Sequence, residues 1–365
     1  MRSSRLERVL LVLAAPALAL VFSAAVAATV LLVAGFSPSE VIPPVVEFGS
    51  SATSLAAVVN KAATYYLAGL SAAIGFRMLL FNIGIDGQYR LGVFAAAVVG
   101  AAVTLPPFLH VALIVVVAML TGALWAAIAG YLKVRRGVSE VISTIMLNVI
   151  ATGLIAYLLT PGRLAERAEG SNNVSTPLLP ESAWLPDIPL GDQSVFGFVP
   201  IAVLVGVLYW WLLGRTRFGF ELRASGLSLR AAAVSGVDSR RMILITIMMS
   251  GAVAGIAGLP QLLGSSHRYG LDFPPGYGFT GLAIALLGRN NPVGVAFGAV
   301  LWAWLERSAQ MFDLLGVSKE IVTILQAVIV LSVVVAYEFI RRAALVRQQR
   351  QVRRLDAVAG MEVTS

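Results

Sequence analysis

Ser143, Thr144 and Asn148 lie inside an otherwise apolar run, residues 138–160. Thr144 and Asn148 are four residues apart, so on a helix they share a face. A hydroxyl or amide turned to lipid lacks hydrogen-bond partners and is costly, so this face should meet protein or a water-filled path. Two roles fit: routine interhelical hydrogen bonding, and contact with a neutral, hydrogen-bonding solute on its way across a membrane. Asn82, Gln88, Gln261, Asn290, Asn291 and Gln326, in or near other apolar runs, extend the candidate set as its weaker members. Phe81, Tyr277 and Phe279 could stack on a flat ligand, although aromatic residues near membrane ends also serve as interfacial anchors.

The chemistry that is missing narrows the function. No G-x-x-x-x-G-K-[ST] motif occurs, so the chain has no phosphate-cradling loop of its own. Neither H-E-x-x-H nor G-x-S-x-G is found among the apolar runs. There is no cysteine, hence no disulfide framework and no thiolate metal site. The two histidines, His110 and His267, stand alone and read as structural. Asp86, Glu140, Asp238, Glu306, Glu320 and Glu338 fall near the ends of the expected spans. A proton-coupled carrier would bury carboxylates midway across. Sodium sites can be built from carbonyls and hydroxyls, so an ion-coupled carrier stays as an alternative. An enzyme is not expected, nor a metal or cofactor bound by this chain.

The elements that position these groups follow from composition. Of 365 residues, 58% are hydrophobic and 13% charged, about half the charged share of a soluble domain. The chain is expected to be a polytopic, all-α membrane protein. Its net charge of +8 comes mostly from arginine, since Lys61, Lys133 and Lys319 are the only lysines. The arginines stand beside apolar runs, which is the positive-inside pattern and not a nucleic-acid footprint. The run from residue 9 to about Gly35 is longer than a signal-peptide core and is taken as a retained first span. Further spans are expected at about 55–80, 89–105, 108–132, 138–160, 198–213, 241–263, 276–288, 293–310 and 320–340. About ten spans place both termini, 81–90, 133–136, 214–241 and 289–291 on one, arginine-rich side. Residues 36–54 and the proline-rich 161–197 fall on the other.

Two stretches organise this frame. Residues 214–241 form a long, arginine-rich interruption. Glu221–Val234 contains no proline, and Ala224, Leu227, Ala231 and Val234 follow helical spacing. A short surface helix is expected; its spacing fits equally a helix resting on lipid and one seated in a partner's groove. In addition, G-V-S-E-V-I-S-T-I at 137–145 echoes G-V-S-K-E-I-V-T-I at 316–324. The two segments start spans of opposite direction, as an inverted repeat would.

Four segments carry a resemblance: F-N-I-G-I-D-G-Q at 81–88, G-V-S-E-V-I-S-T-I-M-L-N at 137–148, R-A-S-G-L-S-L-R-A-A-A-V-S-G-V at 223–237, and G-F-T-G-L-A-I-A-L-L-G-R-N-N-P at 278–292. In their order and spacing they resemble permease subunits of bacterial ABC importers, in the branch of simple-sugar (ribose-type) and nucleoside (basic membrane lipoprotein-associated) permeases. The Asp-Gly-Gln ending and the L-L-G-R-N-N-P segment look more like the nucleoside branch. The family often has Glu where this chain has Asp86. The resemblance implies a type II-like permease of about ten helices over residues 1–340, with inverted repeats at about 55–160 and 241–340 and a basic cytoplasmic tail at 341–365. It implies a multi-pass protein of the bacterial cytoplasmic membrane that moves nucleosides, or alternatively simple sugars, by alternating access. It also implies a second permease, most simply a heterodimer partner since 161–197 resembles the longer of two paired permeases. An ATP-binding cassette ATPase would use the ATP, and a lipoprotein outside would deliver substrate. Glu221, Arg223, Gly226, Arg230 and Gly236 would then belong to the coupling helix that receives force from the ATPase.

Overall fold

The structure is a computed structural model that describes residues 21–22, 24–167, 173–270, 273–318, 320–328, 331–332, 335 and 342. Arg2, Arg5 and Arg8, the last part of the expected tenth span and the arginine-rich tail apart from Arg342 lie outside the described residues. The chain divides into two compact units, Met1–Phe48 with Ser308–Ser365, and Gly49–Arg307.

In the larger unit α3 (Ala52–Phe76) is the central helix. Ser51 caps it, its hydroxyl accepting from the Ser54 amide. Every residue from Leu67 to Phe76 is buried, as expected for a helix that is apolar on all sides. Around it pack α4 (Ile85–Ala101), α7 (Val199–Arg215), α10 (Ser239–Gly255) and α12 (Tyr277–Leu287). Next to α4 and α10 runs α5 (Pro107–Arg136). Its ends are well specified: Pro107 in the first turn, Gly137 in the left-handed region at the C-cap, and Lys133, Arg135 and Arg136 beside the negative end of the helix dipole. α6 (Glu140–Leu158) follows directly. α10 runs on through α11 (Leu259–Gln261) and a π-helical turn, Leu262–Ser266.

Small residues bring α4, α5 and α10 close together. A methyl group on Gly255 would stand 2.1 Å from the Ala118 carbonyl oxygen, and one on Gly122 would stand 2.2 Å from that of Gly251. Gly251 and Gly255 are four apart on α10, the small-xxx-small spacing that lets membrane helices touch backbone to backbone.

Residues 161–197 depart from an all-α description. They hold two antiparallel ribbons, β1 (Glu166–Arg167) with β2 (Val174–Ser175) and β3 (Ile188–Leu190) with β4 (Gln193–Val195), and a 3-10 turn at Glu181–Ala183. The prolines of this stretch exclude a long helix, and its backbone groups pair across ribbons and with neighbours instead. The Thr176 and Leu179 amides donate to the carbonyls of Tyr269 and His267, and Leu185 donates to Leu263. His110 is structural, as expected: one ring nitrogen meets Ser182 Oγ at 2.8 Å and Nε2 lies 2.9 Å from the Gly100 carbonyl. A carbonyl only accepts, so Nε2 carries the proton.

The smaller unit has its own apolar core. α1 (Ala24–Val33) and α2 (Pro38–Ser50) contribute Leu31, Val41 and Val45; Val317 with α14 (320–328) contributes Val322 and Leu325. The expected polar segment at 36–54 is thus helical. Pro43 and Pro44 are tolerated because they fall early in α2, where only carbonyls of the first turn lose their donors.

Expected and observed spans agree closely for α5, α6, α7, α10 and α12. α13 (Pro292–Leu314) runs four residues past the expected end. Among the described residues, length and composition qualify α5, α6 and the Ser239–Ser266 helix to cross a membrane, and two pairs pass when taken together, α2 with α3 and α7 with α8 (Arg217–Leu227). α4 and α12 are apolar but shorter than the ~20 residues that a full crossing needs. The two look-alike segments build the same local turn. Gly137 (φ 69°) follows α5 and Gly316 (φ 76°) follows α13. The amides of Gly137, Val138, Gly316 and Val317 all bond back to the preceding helix. Ser139 and Ser318 then open α6 and α14, their carbonyls accepting from Ser143 and Val322.

Candidate functional site

The break between α3 and α4 gathers several of the candidate polar residues. Asn82 is buried; its Nδ2 donates to Gln88 Oε1 at 2.8 Å and to Ser250 Oγ at 2.9 Å. Its Oδ1 accepts from the Gly84 amide and from Gln88 Nε2. Ser250 and Ser71 exchange hydrogen bonds between hydroxyl and backbone carbonyl, fastening α10 to α3. From α6, Asn148 Nδ2 donates to the Ile83 carbonyl and its Oδ1 accepts from the Gly87 amide, both at 2.9 Å. Asp86 Oδ1 accepts from the Gly276 amide at 2.6 Å. One glycine-punctuated turn is therefore tied to four helices through satisfied buried polar groups.

Thr144 is fully buried beside Gly84, with its hydroxyl donating back to the Glu140 carbonyl at 2.6 Å. Ser143 bonds back to the Ser139 carbonyl in the same way. Asn82, Gln88, Thr144 and Asn148 thus meet at one turn, while Phe279 is exposed on α12. Asn290 and Asn291 lie elsewhere, between α12 and α13. Asn291 Oδ1 accepts from the amides of Val293 and Gly294 and so caps α13.

At that second place the chain joins its middle loop. α7 turns by 72° into α8 (Arg217–Leu227), and α9 (Leu229–Val234) follows. The expected single helix is two, because Ser228 is extended and caps α9, its hydroxyl accepting from the Ala231 amide. Thr216 caps α8 and Asp238 caps α10. Glu221 pairs with Arg217 at 2.8 Å on the surface of α8. The buried side of the pair consists of Gly219, Leu222, Ser225 and Ala232. The apolar stripe read from spacing points the other way: Leu227 and Val234 are 88% and 91% exposed, and Arg230 is exposed with them.

Gly226 lies against the end of α3, so close that a methyl group there would stand 2.4 Å from the Arg77 carbonyl. The Arg77 guanidinium donates to the Asn290 carbonyl at 2.8 Å, and Tyr209 Oη donates to the same oxygen at 2.7 Å. Arg289 and Asn290 both have positive φ, a conformation rare outside glycine. Arg77, Tyr209, Trp210, Arg223 and Asn291 line a cavity of about 270 Å³ here. Backbone contact at Gly226 thus connects α8 to α3, and Arg77 connects α3 to the α12–α13 turn.

Sequence reasoning missed one further cluster. Lys61, in the interior of α3, donates to Tyr277 Oη at 2.6 Å and stands 3.6 Å from Glu306 Oε1 of α13. Its ammonium sits 4.7 Å from the Tyr277 ring centroid. Tyr65 Oη donates to Glu306 Oε2, and Arg307 Nε donates to Ser54 Oγ at 3.2 Å. Ser54, Lys61 and Tyr65 are spaced by seven and four, one stripe of α3. Glu306 is placed within α13 and not at a span end, which the expected boundary at 310 concealed. Spacing along α3 could have flagged the stripe; its partners, more than 200 residues away, had no local signal.

Comparison with known proteins gives the arrangement its context. The guanosine ABC transporter permease protein NupP of Bacillus subtilis (strain 168) is 33% identical over 326 residues, covering 88% of this chain and 93% of that protein. The glucose ABC transporter permease protein TsgB13 of Haloferax volcanii is 32% identical over 307 residues, 81% of this chain and 80% of that protein. The nucleoside ABC transporter permease protein NupB of Lactococcus lactis subsp. cremoris (strain MG1363) is 28% identical over 334 residues, 88% and 90% of the two chains. No solved structure matches. The family profile described as branched-chain amino acid transport system / permease component matches residues 54–334, and the chain belongs to that family of membrane transport subunits.

Proposed function

We propose that this chain is the permease subunit of an ATP-driven importer that carries nucleosides into the cell. The observation that carries this reading is the likeness to a guanosine permease over nearly the whole of both chains. The chain is a transport component and not an enzyme, so ATP is used by a separate ATPase. In this reading 1–340 is the permease domain, with about ten membrane helices in two inverted repeats, about 55–160 and 241–340. The shared turn at Gly137 and Gly316 supports equating α5–α6 with α13–α14. The termini, the tail 341–365 and 214–241 face the cytoplasm of a bacterium; 161–197 faces outward, towards a substrate-binding lipoprotein. A second, similar permease completes the translocation path.

The exposed stripe of Leu227 and Val234 supports a docking role for α8–α9, since side chains this apolar and exposed commonly meet a partner or lipid. Force received there would pass from Glu221–Gly236, including Arg223, Gly226 and Arg230, through Gly226 to α3 and through Arg77 to the α12–α13 turn at Asn290 and Asn291. Asn82, Gln88, Ser143, Thr144, Asn148 and Phe279 belong to the proposed path, Asn82, Gln88 and Asn148 by holding the turn that borders it. A simple-sugar substrate is the second reading, favoured by the likeness to a glucose permease. Uptake of inosine, uridine, ribose and galactose by the whole complex decides between them. Uptake of nucleosides, with sugars ignored, is the expected result; uptake of sugars alone would overturn the nucleoside assignment.

A further inference from the structure

Lys61 and Glu306 form an ion pair set into apolar helices, and neither the coupling contacts nor the α3–α4 turn uses it. The pairs Lys133–Glu140 and Arg217–Glu221 lie at helix ends or on the polar α8. Lys61, by contrast, is about 14 Å of helix from Ala52 at the start of α3. Charges in such positions are costly to maintain and, where present, tend to face a water-filled route or a functional partner.

The geometry is that of an incompletely closed pair. Lys61 Nζ and Glu306 Oε1 are 3.6 Å apart, too far for a good hydrogen bond. The side chains stay 32% and 42% exposed. Both are nonetheless held from behind. Tyr277 Oη accepts a hydrogen bond from the Lys61 ammonium, and Tyr65 Oη donates to the other carboxylate oxygen, Glu306 Oε2. Those tyrosines are buried and pack edge to face, with centroids 5.5 Å apart, and Tyr89 packs on Tyr277 at 5.2 Å. A rigid aromatic base thus presents one donor and one acceptor, side by side and open.

Such a pair matches two adjacent hydroxyl groups on a ring. We propose that Lys61 and Glu306 form a contact site for the vicinal diol of a ribose or sugar ring passing through the permease. Glu306 Oε1 accepts from one hydroxyl and Lys61 Nζ donates to the oxygen of the next. Tyr65 and Tyr277 are positioning residues. The inference rests on the transport reading above, and it names the part of the substrate that this chain would read.

The test uses the complete importer in proteoliposomes, with the wild-type binding protein throughout. Initial uptake is compared for a ribonucleoside and its 2′,3′-dideoxy analogue, and for glucose and 2,3-dideoxyglucose, which has no two adjacent hydroxyls; the two comparisons separate the two diol sources. Glu306→Gln, Lys61→Met and Tyr277→Phe are set beside the wild type. In Glu306→Gln the preference for the ribonucleoside should fall on the order of tenfold, with uptake of the dideoxy analogue retained. If the pair only locks α3 to α13, uptake of both compounds drops together and the preference stays, which overturns the proposal. Should Lys61→Met fail to insert, the near-isosteric Glu306→Gln and Tyr277→Phe still give the preference. A wild-type complex that carries neither nucleoside nor sugar overturns the transport reading and the site together. One that carries them, with unchanged preference in every variant, overturns the site alone.

Discussion

Gly226 of α8 faces the carbonyl oxygen of Arg77 at the end of α3, with room for a hydrogen and not for a methyl group. Here the middle loop touches the end of the central helix backbone to backbone. Gly226→Ala would put a carbon 2.4 Å from that oxygen, forcing α8 away at a cost of about 1–3 kcal/mol. ATP-driven uptake should fall roughly tenfold or more in correctly inserted protein, an amount set by loss of that seating. Gly214→Ala, where nothing lies within 4 Å, should keep wild-type uptake. Equal uptake by both variants would remove Gly226 from the transmission path.

The α5–α10 contact makes a stability prediction. Gly255→Leu cannot be seated against Ala118 without separating the helices. The detergent-solubilised protein should unfold at a clearly lower temperature than wild type, reflecting a loss of several kcal/mol. An unchanged midpoint in a thermal-shift assay would contradict the packing.

Asn148→Ala leaves the Ile83 carbonyl and the Gly87 amide without their partner. A buried group left unpaired costs about 1–3 kcal/mol, so this variant should also be less stable; Asn148→Asp keeps the acceptor for the Gly87 amide but sets a second acceptor oxygen against the Ile83 carbonyl, so it too should lose stability. If Asn148 contacts substrate and has no part in holding the turn, uptake would change with stability intact.

The fold was legible where the code is local. Apolar runs marked most helices, and Gly137 and Gly316 marked one turn used twice. The α8 region was foreseen as helical with an apolar stripe, but which side is buried depends on α3, and spacing alone could not choose between Leu222 and Leu227. Thr144 and Asn148 share one face of α6, as their spacing predicts; the partners of Asn148 have no signal in the sequence because Ile83 and Gly87 contribute backbone groups. Lys61 and Glu306 are 245 positions apart in the numbering, and their pairing arises only when α3 and α13 pack. The prolines of 36–54 suggest a non-helical segment, yet Pro43 and Pro44 fit α2 because they lie close to its start.

His267 gives a pH dependence. Burial pushes its imidazole below the usual histidine range, with Asp187 pulling more weakly the other way. The ring stacks on Trp184 with centroids 4.0 Å apart. The folded state therefore favours the neutral ring. Its contribution to stability is complete above the unfolded value of about 6.5 and is lost as the pH falls below it. The unfolding midpoint, followed from about pH 8 to about pH 5, should drop further for wild type than for His267→Phe. Parallel curves would show that His267 does not titrate differently on folding.

The central claim is that energy comes from another chain and enters through α8–α9. It is tested most directly by nucleoside uptake into proteoliposomes holding this chain alone, or the complete importer with its ATPase and binding protein. The expected result is uptake by the complete importer with ATP inside the ATPase compartment, none without ATP, and none by this chain alone. Uptake by this chain alone, abolished by an uncoupler, would contradict the account.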